Sequence, residues 1–122
     1  MDNKLKGDMA EQYAAKELQK KGFRILHKNF RTRFGEVDII VKDKKFLVFV
    51  EVKARSTQTY GQAKEAVNRV KQEKIIQCAE LYMMENPTKL QPRFDVIEIS
   101  FKIDCGKMQI LSMTHIENAF GN

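Results

Sequence analysis

The sequence predicts a single α/β domain whose elements follow the order α-β-β-β-α-β-β-α over residues 1–122. Two β-rich apolar runs, residues 35–41 and 46–53, flank the charged stretch 42–45 and predict a hairpin. Both runs are almost continuously hydrophobic, which is typical of strands covered on both faces. Segments with the apolar spacing of helices precede and follow this hairpin.

The first helix is expected over about residues 8–21, with Gly22 as its stop signal. Glu11 falls inside the apolar stripe of this helix, next to Leu18. Two interpretations stay open for that acid. Asp8 and Glu11 fit a capping box, with Asp8 as N-cap and Glu11 at N3. Alternatively, Glu11 belongs to a functional site.

The later elements follow from the same patterns. They are a strand over 23–30, a loop over 54–67, a helix from 68 or 69 to 85, strands over 93–101 and 108–113, and a closing helix over 114–120. Asn68 is the expected N-cap of the second helix. Thr114 and Glu117 suit the N-cap and N3 positions of the closing one. Asp95 is expected to support the sheet edge or pair with Arg93, with a place in a site as the alternative.

Composition excludes several classes of protein. Hydrophobic residues make up 43% and charged residues 31%, as in soluble globular domains. No run approaches a membrane span, and the polar, charged N-terminus does not suit a signal peptide. Cys78 and Cys105 match no metal spacing and are expected as buried thiols in a reducing cytoplasm. His27 and His115 are too separated for a zinc site, so oxygen ligands are favoured for any metal.

The positive charge is concentrated near the N-terminus. The net charge is +6, and residues 1–35 hold nine Lys or Arg against four Asp or Glu. Arg24, Lys28, Arg31 and Arg33 lie just ahead of the central hairpin. A basic approach beside an acidic pocket suits a polyanion such as nucleic acid. Solubility is the other interpretation of the same charge.

The central hairpin carries two acids and a lysine among its apolar residues. Buried charges are costly unless they are paired or hold a metal. Strand alternation places Glu51 and Lys53 on one face. A turn of even length would set Asp38 opposite Phe49 on that face, about 7–8 Å diagonally from Glu51. A three-residue turn would send the two acids to opposite faces.

These residues have a specific chemical use. Asp38 and Glu51 could hold Mg²⁺ or Mn²⁺, with the backbone carbonyl of Val52 completing the ligands. Lys53 would then hold an attacking water and offset charge on a phosphate, and Glu11 could orient a water or join a second metal. The alternative interpretation is a buried cluster of ion pairs without metal.

Five further residues are predicted to contact nucleic acid. Arg31 and Arg33 lie in the basic turn before the hairpin, whereas Arg55 and Tyr60 lie in the loop after it. Lys71 lies in the first turn of the second helix, where cations beside free N–H groups would bind phosphate. A solvated loop and a solvated helix face are equally compatible with these residues.

The hairpin resembles a known motif. Asp38 followed by Phe49-Val50-Glu51-Val52-Lys53 resembles the PD-(D/E)xK motif of the restriction-endonuclease-like superfamily, although no proline precedes Asp38. The whole chain resembles the YraN-like family of small bacterial proteins. The matching segments are Gly7-x-x-x-Glu11-x-x-Ala14-x-x-x-Leu18, Gly22-Phe23-x-Ile25-Leu26-x-x-Asn29-x-Arg31, Gly35-Glu36-Val37-Asp38-Ile39-Ile40, Phe49-Val50-Glu51-Val52-Lys53-x-Arg55, Val67-x-x-x-Lys71 and Arg93-Phe94-Asp95-Val96.

This resemblance implies a mixed central sheet flanked by helices, similar in fold to archaeal Holliday-junction resolvases. It also implies a nuclease pocket with Glu11, Asp38, Glu51 and Lys53. The implied activity is a Mg²⁺- or Mn²⁺-dependent endonuclease on structured or branched DNA, and junction cutting would favour a homodimer. Two alternatives remain: a module that binds nucleic acid without cutting it, and a scaffold that recruits another protein.

Overall fold

The described part of the chain folds into five strands and two helices. The computed structural model describes residues 1–57 and 67–121. The elements are α1 (Asn3–Lys20), β1 (Arg24–Thr32), β2 (Gly35–Lys42), β3 (Phe46–Ser56), α2 (Arg69–Glu85), β4 (Gln91–Asp104) and β5 (Lys107–Phe120). Tyr60 lies outside the described residues.

The strands form one mixed sheet in the order β1-β2-β3-β4-β5. Neighbouring strands are antiparallel except for β3 and β4, which are parallel. A parallel pair needs a crossover connection, and α2 lies in the connection between these two strands. The sheet confirms the predicted α/β class, a mixed sheet flanked by helices.

One helix covers each face of the sheet. On the first face, α1 buries its alanines and Leu18 against Ile39, Val41, Val48, Val50, Ile97 and Ile99. On the second face, α2 buries Ile75, Cys78, Ala79 and Tyr82 against Val37, Ile40, Leu47, Phe49, Phe94 and Val96. Strands β2 and β3 are therefore buried on both sides, which explains their nearly continuous hydrophobic sequence.

The predicted closing helix over residues 114–120 is wrong. These residues continue β5, and Thr114 pairs with Glu98 while Ile116 pairs with Val96. The spacing of Thr114 and Glu117 imitates a capping box, but the local signal is outweighed by the hydrogen-bond ladder to β4. Asn118 has a φ of 52° at an irregularity of this pairing, and its N–H donates to Asp95.

Of the two interpretations of Glu11, the capping box is wrong. The helix begins at Asn3, and the carboxylate of Asp2 accepts the N–H of Leu5 at 2.7 Å. Asp8 lies inside the helix and pairs with Lys4 at 3.0 Å, so Glu11 is not a capping residue.

The predicted end of α1 is correct. Gly22 has a φ of 99°, and its N–H donates to the carbonyl of Gln19. The N–H of Phe23 donates to the carbonyl of Leu18, which completes a Schellman motif. Glycine suits the left-handed backbone that this motif requires.

Three smaller expectations also changed or held. Strand β3 continues to Ser56, so Arg55 lies on a strand instead of in the predicted loop. Cys78 is buried as expected, but Cys105 is exposed in the β4–β5 turn. Asn68 caps α2, because its side chain accepts the N–H of Lys71 at 2.9 Å. In the described part of the chain, neither helix is long and apolar enough to cross a bilayer.

Candidate active site

The two strands of the central hairpin separate at one end and open the sheet. Their pairing runs from Lys42 and Leu47 to Ile39 and Val50 and stops there. Beyond that point β2 continues beside β1, whereas β3 continues beside β4. The gap between residues 35–38 of β2 and 51–56 of β3 is named the fork.

The turn has an even number of residues, as predicted, but β2 and β3 pair two residues away from the predicted register. Lys42 pairs with Leu47, so four residues connect the paired positions. The register therefore brings Asp38 in line with Glu51, and the predicted partner Phe49 pairs instead with Ile40. The turn over residues 43–46 is stabilised by Asp43, whose carboxylate accepts the N–H groups of Lys45 and Phe46 at 2.9 and 2.7 Å.

Asp38 occupies the point where the two strands separate. Its carboxylate accepts the N–H of Val52 at 2.8 Å, a donor that would otherwise pair with the β2 backbone. In a strand, the N–H and C=O of one residue point toward the same neighbour. The carbonyl of Val52 therefore also faces the fork.

Three carboxylates from three elements meet at the fork. Glu11 of α1 interacts with Asp38 of β2 and with Glu51 of β3. Asp38 and Glu51 are both buried, with 8% and 4% of their surface exposed. Burial and the adjacent Glu51 carboxylate raise the pKa of Asp38 to about 8, against the opposing effect of the Val52 N–H. Burial and the charge of Glu36 likewise raise the pKa of Glu11.

Lys71 reaches the same cluster from the opposite face of the sheet. Its ammonium group forms an ion pair with Oε2 of Glu51. Burial would lower the pKa of Lys71, but the hydrogen bond and charge of Glu51, together with the charge of Asp38, raise it. Sequence spacing predicted Lys71 on a phosphate-binding helix terminus, and its contact with Glu51 was not foreseen.

Lys53 lies on the same side of β3 as Glu51, two residues farther along the strand. It is half-buried, and its side chain lies close to that of Lys71. Arg55 follows at the next position of the same alternation and is also half-buried. The three side chains therefore follow one another along one wall of the fork.

Two further predicted nucleic-acid contacts, Arg31 and Arg33, lie on β1 and in the β1–β2 turn. Arg31 is exposed on β1, and its Nε donates to Glu36 at 2.6 Å. Arg33 is exposed in the β1–β2 turn, with its guanidinium 4.8 Å from the ring centroid of Phe34. This turn lies at the fork end of the sheet. Basic side chains of β1, β3, α2 and the turn thus lie on elements that border the fork.

Two surface clefts border the fork. One, of about 290 Å³, lies between the start of α2 and the β1–β2 turn and is lined by Gly35, Glu36, Asn68, Val70, Lys71, Lys74 and Ile75. The other, of about 400 Å³, lies beside α1 and is lined by Lys4, Leu5, Asp8, Met9, Glu11, Gln12, Lys28 and Asn29. A larger cavity, of about 510 Å³, lies at the hairpin end of the sheet and lacks the acidic cluster.

The donor atoms at the fork are suited to a hard cation. They are carboxylate and carbonyl oxygens, the ligands that Mg²⁺ and Mn²⁺ prefer. Across residues 1–57 and 67–121, no three His, Cys, Asp or Glu side chains form a complete ligand set. A cation would instead rest on Asp38, Glu51 and the carbonyl of Val52. Such a small protein set is usual for Mg²⁺, which keeps several waters.

Asp95 lies outside this site. Its carboxylate accepts two bonds from Arg93, both at 2.9 Å, and one from Nε2 of His115 at 2.7 Å. Lys21 contacts Nδ1 of His115 at 2.8 Å, and a lysine can only donate, so Nδ1 accepts and Nε2 carries the proton. Pairing with Arg93 was predicted, but the histidine was not, because its contact crosses from β5 to β4.

The fold and the fork define a mixed α/β domain with an acid and lysine cluster at a split in the sheet. The profile of the family described as "Uncharacterised protein family UPF0102" matches residues 10–99. A UPF0102 protein from Caldanaerobacter subterraneus is 41% identical over 121 residues, covering 98% of both chains. One from Clostridioides difficile is 42% identical over 121 residues, covering 98% of this chain and all of the other. The chain belongs to the UPF0102 family.

Proposed function

We propose that this protein is a divalent-metal-dependent endonuclease that acts on structured or branched DNA, in the manner of a Holliday-junction resolvase. The observation that carries the proposal is the meeting of Asp38, Glu51 and Lys53 at the fork. Buried acids that are not fully paired with cations are costly, so their presence here favours a functional role. The resemblance of these residues to the PD-(D/E)xK motif supports the same activity.

Each residue has a chemical task in this proposal. Asp38, Glu51 and the Val52 carbonyl would hold Mg²⁺ or Mn²⁺, which when bound supplies positive charge to the reacting phosphate. Lys53 hydrogen-bonds the attacking water and offsets charge on the phosphate oxygens. The water oxygen bonds to phosphorus as the bond to the leaving oxygen breaks. The water releases a proton to bulk solvent, and the leaving oxygen takes a proton from it. Glu11 orients the water from the α1 side.

The basic residues around the fork suit a DNA substrate. Arg31, Arg33 and Arg55 would contact backbone phosphates, which fixes the position of the strand without reading its sequence. Tyr60 is proposed as a further contact from the segment that follows β3. A branched substrate has two strands to cut, so we also propose that two copies act together.

Replacement of Lys53 tests the activity directly. We expect Lys53→Ala to reduce Mn²⁺-dependent cutting of a labelled four-way junction by about 100-fold or more, because charge stabilisation at the phosphate is lost. Junction binding should remain largely unchanged, since the other basic residues stay. Lys16→Ala, on the exposed side of α1, is the matched control and should cut normally. Unchanged cutting by Lys53→Ala would refute the assignment.

A non-catalytic binding module is the second candidate. The specific observation in its favour is that Lys71 already pairs with Glu51, so the acid is neutralised without a metal. In that case no substrate is cut with either metal, yet DNA affinity falls steeply with salt. A scaffold would show neither cutting nor binding, even at low ionic strength.

A further inference from the structure

The contact between Lys71 and Glu51 gives Lys71 a role beyond phosphate binding. We propose that Lys71 is an exchangeable counter-ion, which neutralises Glu51 in the metal-free protein and must leave Glu51 when a divalent cation binds. The cation and the Lys71 ammonium thus compete for the same carboxylate oxygens. This inference rests on the metal-dependent function proposed above.

The buried carboxylate of Glu51 needs a compensating positive charge. Glu51 is only 4% exposed, and a buried carboxylate is destabilising unless a cation or hydrogen bonds compensate it. Among the described residues, Glu51 forms an ion pair with Lys71. Asp38 and Glu11, the acids that share this space, supply no compensating positive charge. Lys71 is therefore the positive charge that makes this cluster tolerable in the absence of a metal.

A metal cation and the Lys71 ammonium exclude each other at Glu51. A cation held by Asp38 and Glu51 would lie within a few ångströms of the Lys71 ammonium, where like charges repel strongly in a poorly solvated site. Lys71 contacts Oε2 of Glu51, one of the two carboxylate oxygens that a metal could bind. Simultaneous occupation of that oxygen by both cations is unfavourable.

The Lys71 side chain can move away from Glu51 while α2 stays in place. Its side chain is 43% exposed, so the ammonium can rotate into water on its flexible stem. The helix that carries it is anchored farther along by Ile75, Cys78 and Ala79, which are buried. Exchange therefore needs a rotamer change and no displacement of α2.

The experiment measures Mn²⁺ binding by calorimetry on the full chain without DNA. We expect Lys71→Met to bind Mn²⁺ about ten-fold more tightly than the wild type or better, because the competing cation is gone. Lys74→Met is the matched control. Lys74 lies one turn later on α2, exposed and against Gly35, so its replacement should leave the affinity unchanged.

Two further variants keep the test decisive. Lys71→Arg retains the charge and should bind Mn²⁺ as the wild type does. Lys71→Gln replaces Lys71→Met if the latter does not fold. In EDTA, Lys71→Met and Lys71→Gln should melt at a lower temperature than the wild type. Mn²⁺ should raise the melting temperature of these variants by more than it raises that of Lys74→Met.

The outcomes separate this inference from the proposed function. Unchanged or weaker Mn²⁺ affinity in Lys71→Met would overturn the exchange, and junction cutting by the wild type would then leave the nuclease intact. If no variant binds Mn²⁺ at all, the competition and the metal-dependent function both fail. Tighter binding in the neutral variants, with Lys71→Arg unchanged, would establish the exchange.

Discussion

Two buried aspartates, Asp38 on β2 and Asp95 on β4, lie on the strands that flank β3 in the same sheet. Asp95 is 0% exposed and Asp38 8%, yet their surroundings differ. Asp95 accepts bonds from Arg93, His115 and the N–H of Asn118. Within the described residues, Asp38 accepts the N–H of Val52 and faces Glu51 and Glu11.

The same contrast appears in their protonation. Burial alone would raise the pKa of Asp95, but the bonds from His115, Arg93 and Asn118 lower it below the ordinary value. For Asp38, burial and the Glu51 charge raise the pKa to about 8. Burial acts in the same direction on both residues, so their partners decide the outcome. A paired acid stabilises the sheet, whereas an acid facing other acids is available to a cation.

The largest predicted effect concerns Asp95, the aspartate that is paired with basic groups. Asp95→Ala removes the buried carboxylate that accepts bonds from Arg93 and leaves the guanidinium with exposed Glu117 at 3.7 Å, so we expect a loss of about 3–5 kcal/mol in the free energy of unfolding. The measurement is urea denaturation, with exposed Asp104→Ala as the control. A loss as small as that of the control would mean that the network around Asp95 contributes little to stability.

The second prediction concerns Asp38, whose replacement should increase the free energy of unfolding. Between the ordinary carboxyl pKa of 3.8 and about 8, the folded state keeps on Asp38 a proton that the unfolded state has lost. The stability of the wild type in EDTA should therefore fall as the pH rises through this range. Asp38→Asn removes the contribution of Asp38 to this dependence, leaves that of Glu11, and retains an oxygen for the N–H of Val52. Above the folded pKa it should be more stable than the wild type by at least about 1.4 kcal/mol, the value of one pKa unit.

The control for that prediction is Asp104→Asn, which should follow the wild-type pH profile. Stability that rises over the same range in the wild type, or an Asp38→Asn protein less stable than the wild type in EDTA, would contradict the raised pKa. The Asn variant should also lose Mn²⁺ affinity. That loss links the stability gain to the cation site.

The smallest predicted effect sharpens the same point. Glu11 is half-buried, and burial and the charge of Glu36 raise its pKa, so Glu11→Gln should stabilise the metal-free protein as Asp38→Asn does. Water screens this residue, and the gain should be roughly 0.5 kcal/mol or less. Thermal unfolding in EDTA measures it against Glu80→Gln, an exposed change on α2. A loss of stability would show that Glu11 makes a stabilising contact.

Local sequence signals predicted the elements whose determinants lie within a few residues of each other. The Gly22 stop and the Asn68 cap are satisfied by bonds to neighbours in the chain, and both were correct. The capping-box spacings at Asp8 and Thr114 were equally local and were both wrong. The first lies inside a longer helix, and the second lies on a strand that pairs with β4 along its length. A spacing rule cannot include a partner that is distant in the sequence.

The alternation of the hairpin sequence by itself determined that Glu51 and Lys53 share a face and, with an even-length turn, that Asp38 joins them. That inference is reliable because strand geometry fixes the direction of each side chain. Only the tertiary structure decided that β2 and β3 separate at Asp38, that Glu11 joins from α1, and that Lys71 pairs with Glu51. The reason is physical: these contacts join different elements, and the charge state of a buried acid depends on every group packed around it.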